Sequence, residues 1–435
     1  MHQSSILGFL RKGNPSRSEQ SRSDSSRPER AENSGPGQPY RPRTNADSRQ
    51  EPFEHRRGHG GYGRAARGRG RGDQHHRGYN TRRNDVLKLV ADETKAELPK
   101  ILSTIPSFDA AESSSHDLED LTALDPLECP GHVLSSNDGS AGQKGTRIRV
   151  LNMDTFDAAL QLDPNYKAHT HLRLASPVDT TASISNSALT PTIHYPTAND
   201  TDTIMQDAPI FPLIGTSPTP SNTTLTTSPP TPVLVLNLAS ERSPGGGWSK
   251  GALAQEECLC YRSSLSLSLN TSFYPIPSLS CIYTPSVLLL RSSMSTGHSL
   301  LTPSTSPLNL PVVSVLSIAA LRQPRLTSDA TGEVKFKHEG QRAETKRKIR
   351  LTLRVATLHG HKKLVLGALG CGVFANPAKE VAECFLEVFR EKEFQGGWWD
   401  EVVFAVLDNV KGSDGGKDGK GNYGVFWRVL DGEVV

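Results

Sequence analysis

Apolar residues are spread along the chain in distinct regimes. From about residue 12 to 83 aliphatic side chains are nearly missing, and these residues are expected to be disordered. From Asn84, a candidate N-cap, Val86, Leu87, Val90, Leu98, Ile101 and Leu102 recur at helical spacing and predict a helix. Residues 103–145 read as a loop-rich link. Arg147–Leu151 alternates as a strand does, and Thr155–Leu162 reads as a short helix after it. Residues 163–231 are rich in Thr, Ser and Pro, and so long a featureless stretch is expected to loop out of a domain as a disordered insertion. Val233–Leu236 is then an unbroken apolar run, the kind of strand buried on both faces. Val287–Leu290, Val312–Ile318, Leu364–Leu366 and Val402–Leu407 predict further strands, Ala343–Thr357 and Pro377–Lys392 predict helices, and Tyr423–Leu430 predicts a last strand. Residues 298–311 and 411–422 read as loops. Strands alternating with helices predict an α/β domain, its mostly parallel or mixed sheet covered on both faces. Its first part is 84–162 and its main part 232–435.

Composition limits how much of the chain can fold. With 35% hydrophobic and 6% aromatic residues, 37 Gly and 30 Pro, the 435 residues predict one ordinary domain with long disordered segments, not two domains. The net charge of +3 hides an asymmetry, because residues 1–83 hold 18 Lys and Arg against 8 Asp and Glu. A basic tail on a mildly acidic body is suited to meeting a polyanion. Cys129, Cys258, Cys260, Cys281, Cys371 and Cys384 show neither a disulfide framework nor a Cys-x-x-Cys zinc pair, and reduced thiols are expected. No apolar run approaches a membrane span, and the short one near Met1 falls below a signal-peptide core. A soluble intracellular protein without membrane contact is expected, and a monomer.

Two glycine-rich blocks carry the candidate chemistry. Val233–Leu236 runs into Asn237, and Gly245, Gly246 and Gly247 follow before a helix expected from about Ala254. Such a loop lies at a strand's carboxyl end, where open α/β sheets bind ligands, and its backbone can approach a ligand closely. Gln255, Glu256 and Glu257 come next. Cleavage of a glycosidic bond needs an acid for the leaving oxygen, and a buried carboxyl can have its pKa raised for that role. Taken alone, a triglycine turn and two first-turn glutamates are equally what a flexible loop and a solvated helix start contain. The second block, Gly367-Ala-Leu-Gly370-Cys371-Gly372-Val373-Phe374-Ala375-Asn376-Pro377, follows a strand and precedes a helix with Asn376 as the expected N-cap. Backbone N–H groups there suit an anion. His359 and His361 are expected to close a loop, and Trp398 and Trp399 to pack in the core.

The string from Val235 to Cys260, with Pro244-Gly-Gly-Gly-Trp248 and Gln255-Glu-Glu-Cys-Leu-Cys260, resembles the signature of microbial-type poly(ADP-ribose) glycohydrolases. Val150–Leu162, Lys348–Ala356, Leu364–Pro377 and Val402–Leu407 also resemble that family. The resemblance implies a macrodomain-like three-layer α/β/α fold and hydrolysis of the ribose–ribose bond of poly(ADP-ribose), with no cofactor and no metal. It implies Glu257 as general acid and then as base for water, and Glu256 as the holder of the distal ribose hydroxyls. Gly245–Gly247 would wrap the sugar and diphosphate, braced by Asn237. Gly370, Cys371, Gly372 and Val373 would bind diphosphate, Phe374 would lie against the ribose, and Asp154 stands where the macrodomain's adenine-contacting Asp is found. One departure is Leu238-Ala239-Ser240, where the family usually has Phe-Ala-Asn. The shorter Ser240 implies reduced turnover and keeps a non-catalytic ADP-ribose reader open as the alternative.

The tail suggests partners of its own. Gln3, Ile6 and Phe9 resemble a sliding-clamp-binding box, with Leu10 in place of its second aromatic. Arg-Gly repeats with Tyr62 and Tyr79 in residues 56–83 suit RNA or poly(ADP-ribose), which makes an RNA-bound scaffold a third reading. These features lead to the expectation of a nuclear protein of the DNA damage response, the cytoplasm being the alternative.

Overall fold

The computed structural model describes residues 71–174 and 230–435, and its folded unit is Arg82–Val435. The basic tail up to residue 70, with the clamp-like residues Gln3, Ile6 and Phe9, and most of the 163–231 insertion lie outside the described residues. In chain order the principal elements begin with helix α1 (Arg71–Leu102), strands β1 (Ser114–Asp117) and β2 (Ile148–Leu151), and helix α2 (Thr155–Leu162). Then come β3 (Leu234–Leu238), α3 (Gln255–Arg262), β4 (Ser280–Leu288), β5 (Val312–Ile318), and the short pair β6 (Leu326–Ser328) and β7 (Val334–Phe336). Helix α4 (Glu339–Leu358), β8 (Lys363–Leu366), α5 (Ala378–Phe389), β9 (Glu401–Ala405) and α6 (Asn422–Leu430) complete the unit.

One seven-stranded sheet runs in the order β1-β4-β5-β3-β8-β9-β2. The strands from β5 to β2 are parallel to one another, while β4 is antiparallel to β5 and to β1. Strand β3 sits inside this run, and alternate side chains supply both cores. Leu234 and Leu236 pack with α4, α5 and α6, whereas Val233 and Val235 pack with α1, α2 and α3. The arrangement is the expected three-layer α/β/α with a mixed sheet. No helix among the described residues is long and apolar enough to cross a membrane.

The connections decide where a ligand can enter. After β3 the chain turns to the α2–α3 face, whereas after β5 and β8 it turns to the opposite face, bearing α4 and α5. Chains that diverge to opposite faces leave a crevice at the strand carboxyl ends.

Several sequence expectations need correction. Helix α1 starts well before Asn84, which is therefore no N-cap. Residues 103–145 contain an edge strand, β1, whose Ser-Ser-His-Asp sequence has no apolar alternation to announce it. Tyr423–Leu430 forms α6 instead of a strand, burying Tyr423, Phe426 and Leu430 on one helical face. Residues 163–174 belong to the fold: a helical turn spans Ala168–His171, and the Tyr166 hydroxyl donates to the Pro230 carbonyl (3.2 Å) and lies 3.3 Å from His171 Nδ1. Trp398 and Trp399 are buried, and all six cysteines are free.

Candidate active site

The crevice is a cleft of about 470 Å³ between the carboxyl end of β3 and the loop after β8. One wall is Leu238, Ala239 and Ser240 with Ser243, Gly246, Gly247 and Lys250, and the first turn of α3 supplies Gln255, Glu256 and Glu257. The other is Ala320 and Arg322 with Ala368, Gly370, Gly372, Val373 and Phe374. Most of the residues expected from both blocks thus line one cavity.

Gln255 fastens the helix to the strand. Leu238 N–H donates to its Oε1 (2.9 Å) and its Nε2 donates to the Leu236 carbonyl (2.8 Å). With the amide so placed, both following carboxyls are buried at the cleft floor. They are held differently. Ser240 N–H donates to Glu256 Oε2 (2.8 Å), and Asn237 Nδ2 makes a long 3.5 Å bond to Glu256 Oε1. Asn237, fully buried, also donates to Ser317 Oγ on β5 (3.0 Å), so it braces the wall from below the cleft. Glu257 accepts from Gly247 N–H at Oε1 (2.9 Å), and its Oε2 takes no hydrogen bond among the described residues. Glu257 therefore has an oxygen to offer a ligand.

The glycines allow this packing. Gly245 and Gly246 have φ of +67° and +60°. A Cβ on Gly246 would run into Glu257 Oε1 and come 3.0 Å from Glu256 Oε2. Ser240 Oγ accepts from the N–H groups of Arg242 (3.3 Å) and Ser243 (3.2 Å), which shapes the turn and leaves its own proton to donate.

Burial pushes the Glu256 carboxyl up to about 8, helped by the adjacent Glu257 and opposed by the Ser240 N–H. The folded state thus binds this proton more tightly than the unfolded chain does. The resulting stability is present in full below pH 4.5 and is lost as pH rises through about 8. A tenfold change in proton affinity is worth about 1.4 kcal/mol, so the loss is on the order of a few kcal/mol. Glu256→Gln should remove it: between pH 6 and 9.5 the melting temperature of the wild type should fall more steeply than that of the variant. Parallel curves would refute this assignment.

The second block is shaped by Asn376, in a way not foreseen. The helix N-cap is Pro377, not Asn376. The Asn376 amide instead donates to the carbonyls of Leu321 (2.7 Å) and Gly370 (3.1 Å), joining the loop after β5 to the loop after β8. This latch holds Ala375 at φ +55°, a region rarely used by residues with a Cβ. Asn422 Nδ2 adds a bond to the Cys371 carbonyl (3.2 Å), while Cys371 itself is buried behind the cleft. Arg322 lies 5.8 Å from the Phe374 ring centre. Asn376→Ala would strip the Leu321 carbonyl of its donor, costing about 1–3 kcal/mol and loosening the loop, while the Gly370 carbonyl keeps the backbone N–H of residue 376 (3.0 Å). A lowered melting temperature together with at least ten-fold weaker ADP-ribose binding by calorimetry is expected; unchanged binding would show that the latch is structural only.

Asp154 lies outside the cleft lining. It caps α2 by accepting from Phe156 N–H (2.9 Å) and ion-pairs with the buried Arg262, which also pairs with Asp157 (2.7 Å). His359 stacks on Tyr283 (3.7 Å between centres), and His361 Nε2 lies 2.9 Å from the Tyr283 hydroxyl. Among the described residues no group of three or more His, Cys, Asp or Glu side chains could hold a metal ion. Lys250 and Arg322 are the charged cleft residues that sequence reasoning missed, since neither belongs to a glycine or carboxylate motif.

Residues 175–292, which contain the Gly245–Gly247 loop and both carboxyls, match the model of the microbial-type PARG catalytic domain. A poly(ADP-ribose) glycohydrolase from Deinococcus radiodurans, solved in complex with ADP-ribose, is 30% identical to this chain, covering 46% of it and 75% of the bacterial chain at a TM-score of 0.35. Residues 175–292 thus carry a segment matching a PARG catalytic domain, that of a glycosidase-type hydrolase. A PARG from Thermomonospora curvata is 23% identical, with 79% of this chain and 99% of that one covered at a TM-score of 0.47. The same Thermomonospora PARG has been solved bound to the inhibitor ADP-HPD. A search of curated proteins finds no match. The family match ends at residue 292, so the Gly370–Asn376 loop lies outside the matched segment and meets it by lining the same cleft.

Proposed function

We propose that this protein hydrolyses the ribose–ribose glycosidic bond of poly(ADP-ribose), releasing ADP-ribose, with Glu257 as general acid and base. The observation that carries the assignment is the unequal tethering of the two carboxyls: both Glu256 oxygens face donors of the chain, whereas Glu257 Oε2 is open to the cleft. Substrate binds with its terminal ribose on Gly246–Gly247 and its diphosphate along Gly370–Phe374. Glu257 gives its proton to the bridging oxygen as the bond from the anomeric carbon to that oxygen breaks. A water molecule then adds to the oxocarbenium-like carbon and yields its proton to Glu257, restoring the acid. Polymer and water become ADP-ribose and a polymer one unit shorter, and no cofactor enters. Glu256 orders the Ser240 turn and meets the ribose hydroxyls, Ser240 donates toward the sugar, and Phe374 packs against it.

Labelled poly(ADP-ribose) is the test. Release of ADP-ribose by the wild type supports hydrolysis. Tight ADP-ribose binding by calorimetry without release would instead favour the reader that Ser240 keeps open. Clamp docking through Gln3, Ile6 and Phe9, RNA contact by residues 56–83, and a nuclear site of action in the DNA damage response belong to the same proposal. They rest on the tail's sequence alone.

A further inference from the structure

Two cations line the cleft, Lys250 and Arg322, and neither has an ion-pair partner among the described residues. They come from different loops, Lys250 from the one after β3 and Arg322 from the one after β5. Arg322 adjoins Phe374 and the glycine loop assigned to the diphosphate of the bound unit. Lys250 adjoins the triglycine loop, its N–H donating to the Gly247 carbonyl (2.9 Å) while Gly247 N–H holds Glu257. A bound unit reaching from the carboxyls to the glycine loop points away from Lys250. On the hydrolase reading, Lys250 is left for the other side of the scissile bond.

More positive charge gathers on that side. Gly251, next to Lys250, turns at φ +79°, and a Cβ there would collide with the backbone carbonyl of Asn84. The start of the folded part of α1 is therefore wedged against this turn. With successive Cα atoms 3.8 Å apart, Arg83 and Lys250 lie within roughly 12 Å along the backbone. Arg82 is exposed; Arg83 is half-buried, donating from Nη2 to Asn84 Oδ1 (3.4 Å), while its buried Nε has no partner among the described residues. Arg82 and Arg83 thus adjoin the turn that carries Lys250.

In poly(ADP-ribose) the leaving oxygen belongs to the adenosine ribose of the next unit, which carries its own diphosphate. A single ADP-ribose on a protein side chain has no anion there. We propose that Lys250, with Arg82 and Arg83 beside it, is a leaving-side phosphate site that holds the diphosphate of the unit beyond the scissile bond and so directs the enzyme to polymer. The inference rests on the hydrolase reading above. Contacts this far from the reacting carbon act on bound substrate and transition state alike, and are read in KM. As exposed charges meeting phosphate, they weaken with salt.

The experiment compares two substrates in the full-length protein: poly(ADP-ribose), and ADP-ribose bearing a nitrophenyl group on the same anomeric carbon, which lacks the leaving-side diphosphate. Lys250→Glu should lower kcat/KM on polymer at least ten-fold more than on the nitrophenyl substrate, through KM, with the gap closing as salt rises. Lys250→Arg should restore polymer selectivity, and Arg82→Ala with Arg83→Ala should lower it part-way. Equal losses on both substrates overturn the site, as does loss of RNA binding with polymer selectivity intact. A wild type that turns over neither substrate overturns the hydrolase reading and this site with it.

Discussion

Glu257→Gln should reduce release of ADP-ribose from poly(ADP-ribose) by at least a thousand-fold while leaving ADP-ribose affinity within about three-fold. General acid catalysis contributes about 10²–10⁴ in rate, and in the proposed reaction one residue takes both the acid and the base step. Binding should survive because the glutamine keeps an Oε1 to accept from Gly247 N–H, the bond that seats the side chain on the glycine shelf. Glu256→Gln should behave differently. One of its two tethered positions becomes an NH₂ group, and either the Ser240 N–H or the Asn237 amide then faces a donor. That variant should lose affinity as well as rate. Single-turnover hydrolysis and calorimetry on the two variants make the comparison. A Glu257→Gln protein retaining a tenth of wild-type turnover would remove Glu257 from the mechanism.

Gly246→Ala should abolish ADP-ribose binding altogether. The residue would need φ +60° with a methyl driven into Glu257 Oε1 and placed 3.0 Å from Glu256 Oε2. Neither carboxyl can retreat, because Glu257 is tied to Gly247 and Glu256 to Ser240. The loop itself must move, and the left-handed conformation alone costs about 1–2 kcal/mol. Affinity should fall at least a hundred-fold by calorimetry, with a melting temperature lowered by a few degrees. An alanine variant that binds ADP-ribose like the wild type would show that the sugar does not rest on this loop.

Long apolar runs and regular periods were enough to place several elements: Thr155–Leu162 and Val312–Ile318 match α2 and β5 end to end. β1 escaped because an edge strand outside the core needs no apolar face. α6 was misread because Tyr423–Leu430 is rich in residues that favour strands, although Tyr423, Phe426 and Leu430 keep helical spacing. In the site, the glycines and carboxyls were visible as strings of rare composition. Asn376 was visible but misassigned, because a residue just before a helix looks like a cap and only the fold brings Leu321 within its reach. Lys250 and Arg322 had no signal at all, since a surface cation matters here by what it fails to pair with.

Tyr166 has a further consequence. Its hydroxyl meets both His171 and Pro230, which flank residues 175–229 in sequence. One phenol thus ties the chain at His171 to the chain at Pro230. Whatever fills residues 175–229, its two ends are already pinned by the folded part. The cost of closing a flexible loop between fixed points grows only with the logarithm of its length, about 0.6 kcal/mol per doubling. The junction is therefore a permissive splice point, where the chain can gain or shed sequence while the Gly245–Gly247 loop and its carboxyls keep their positions.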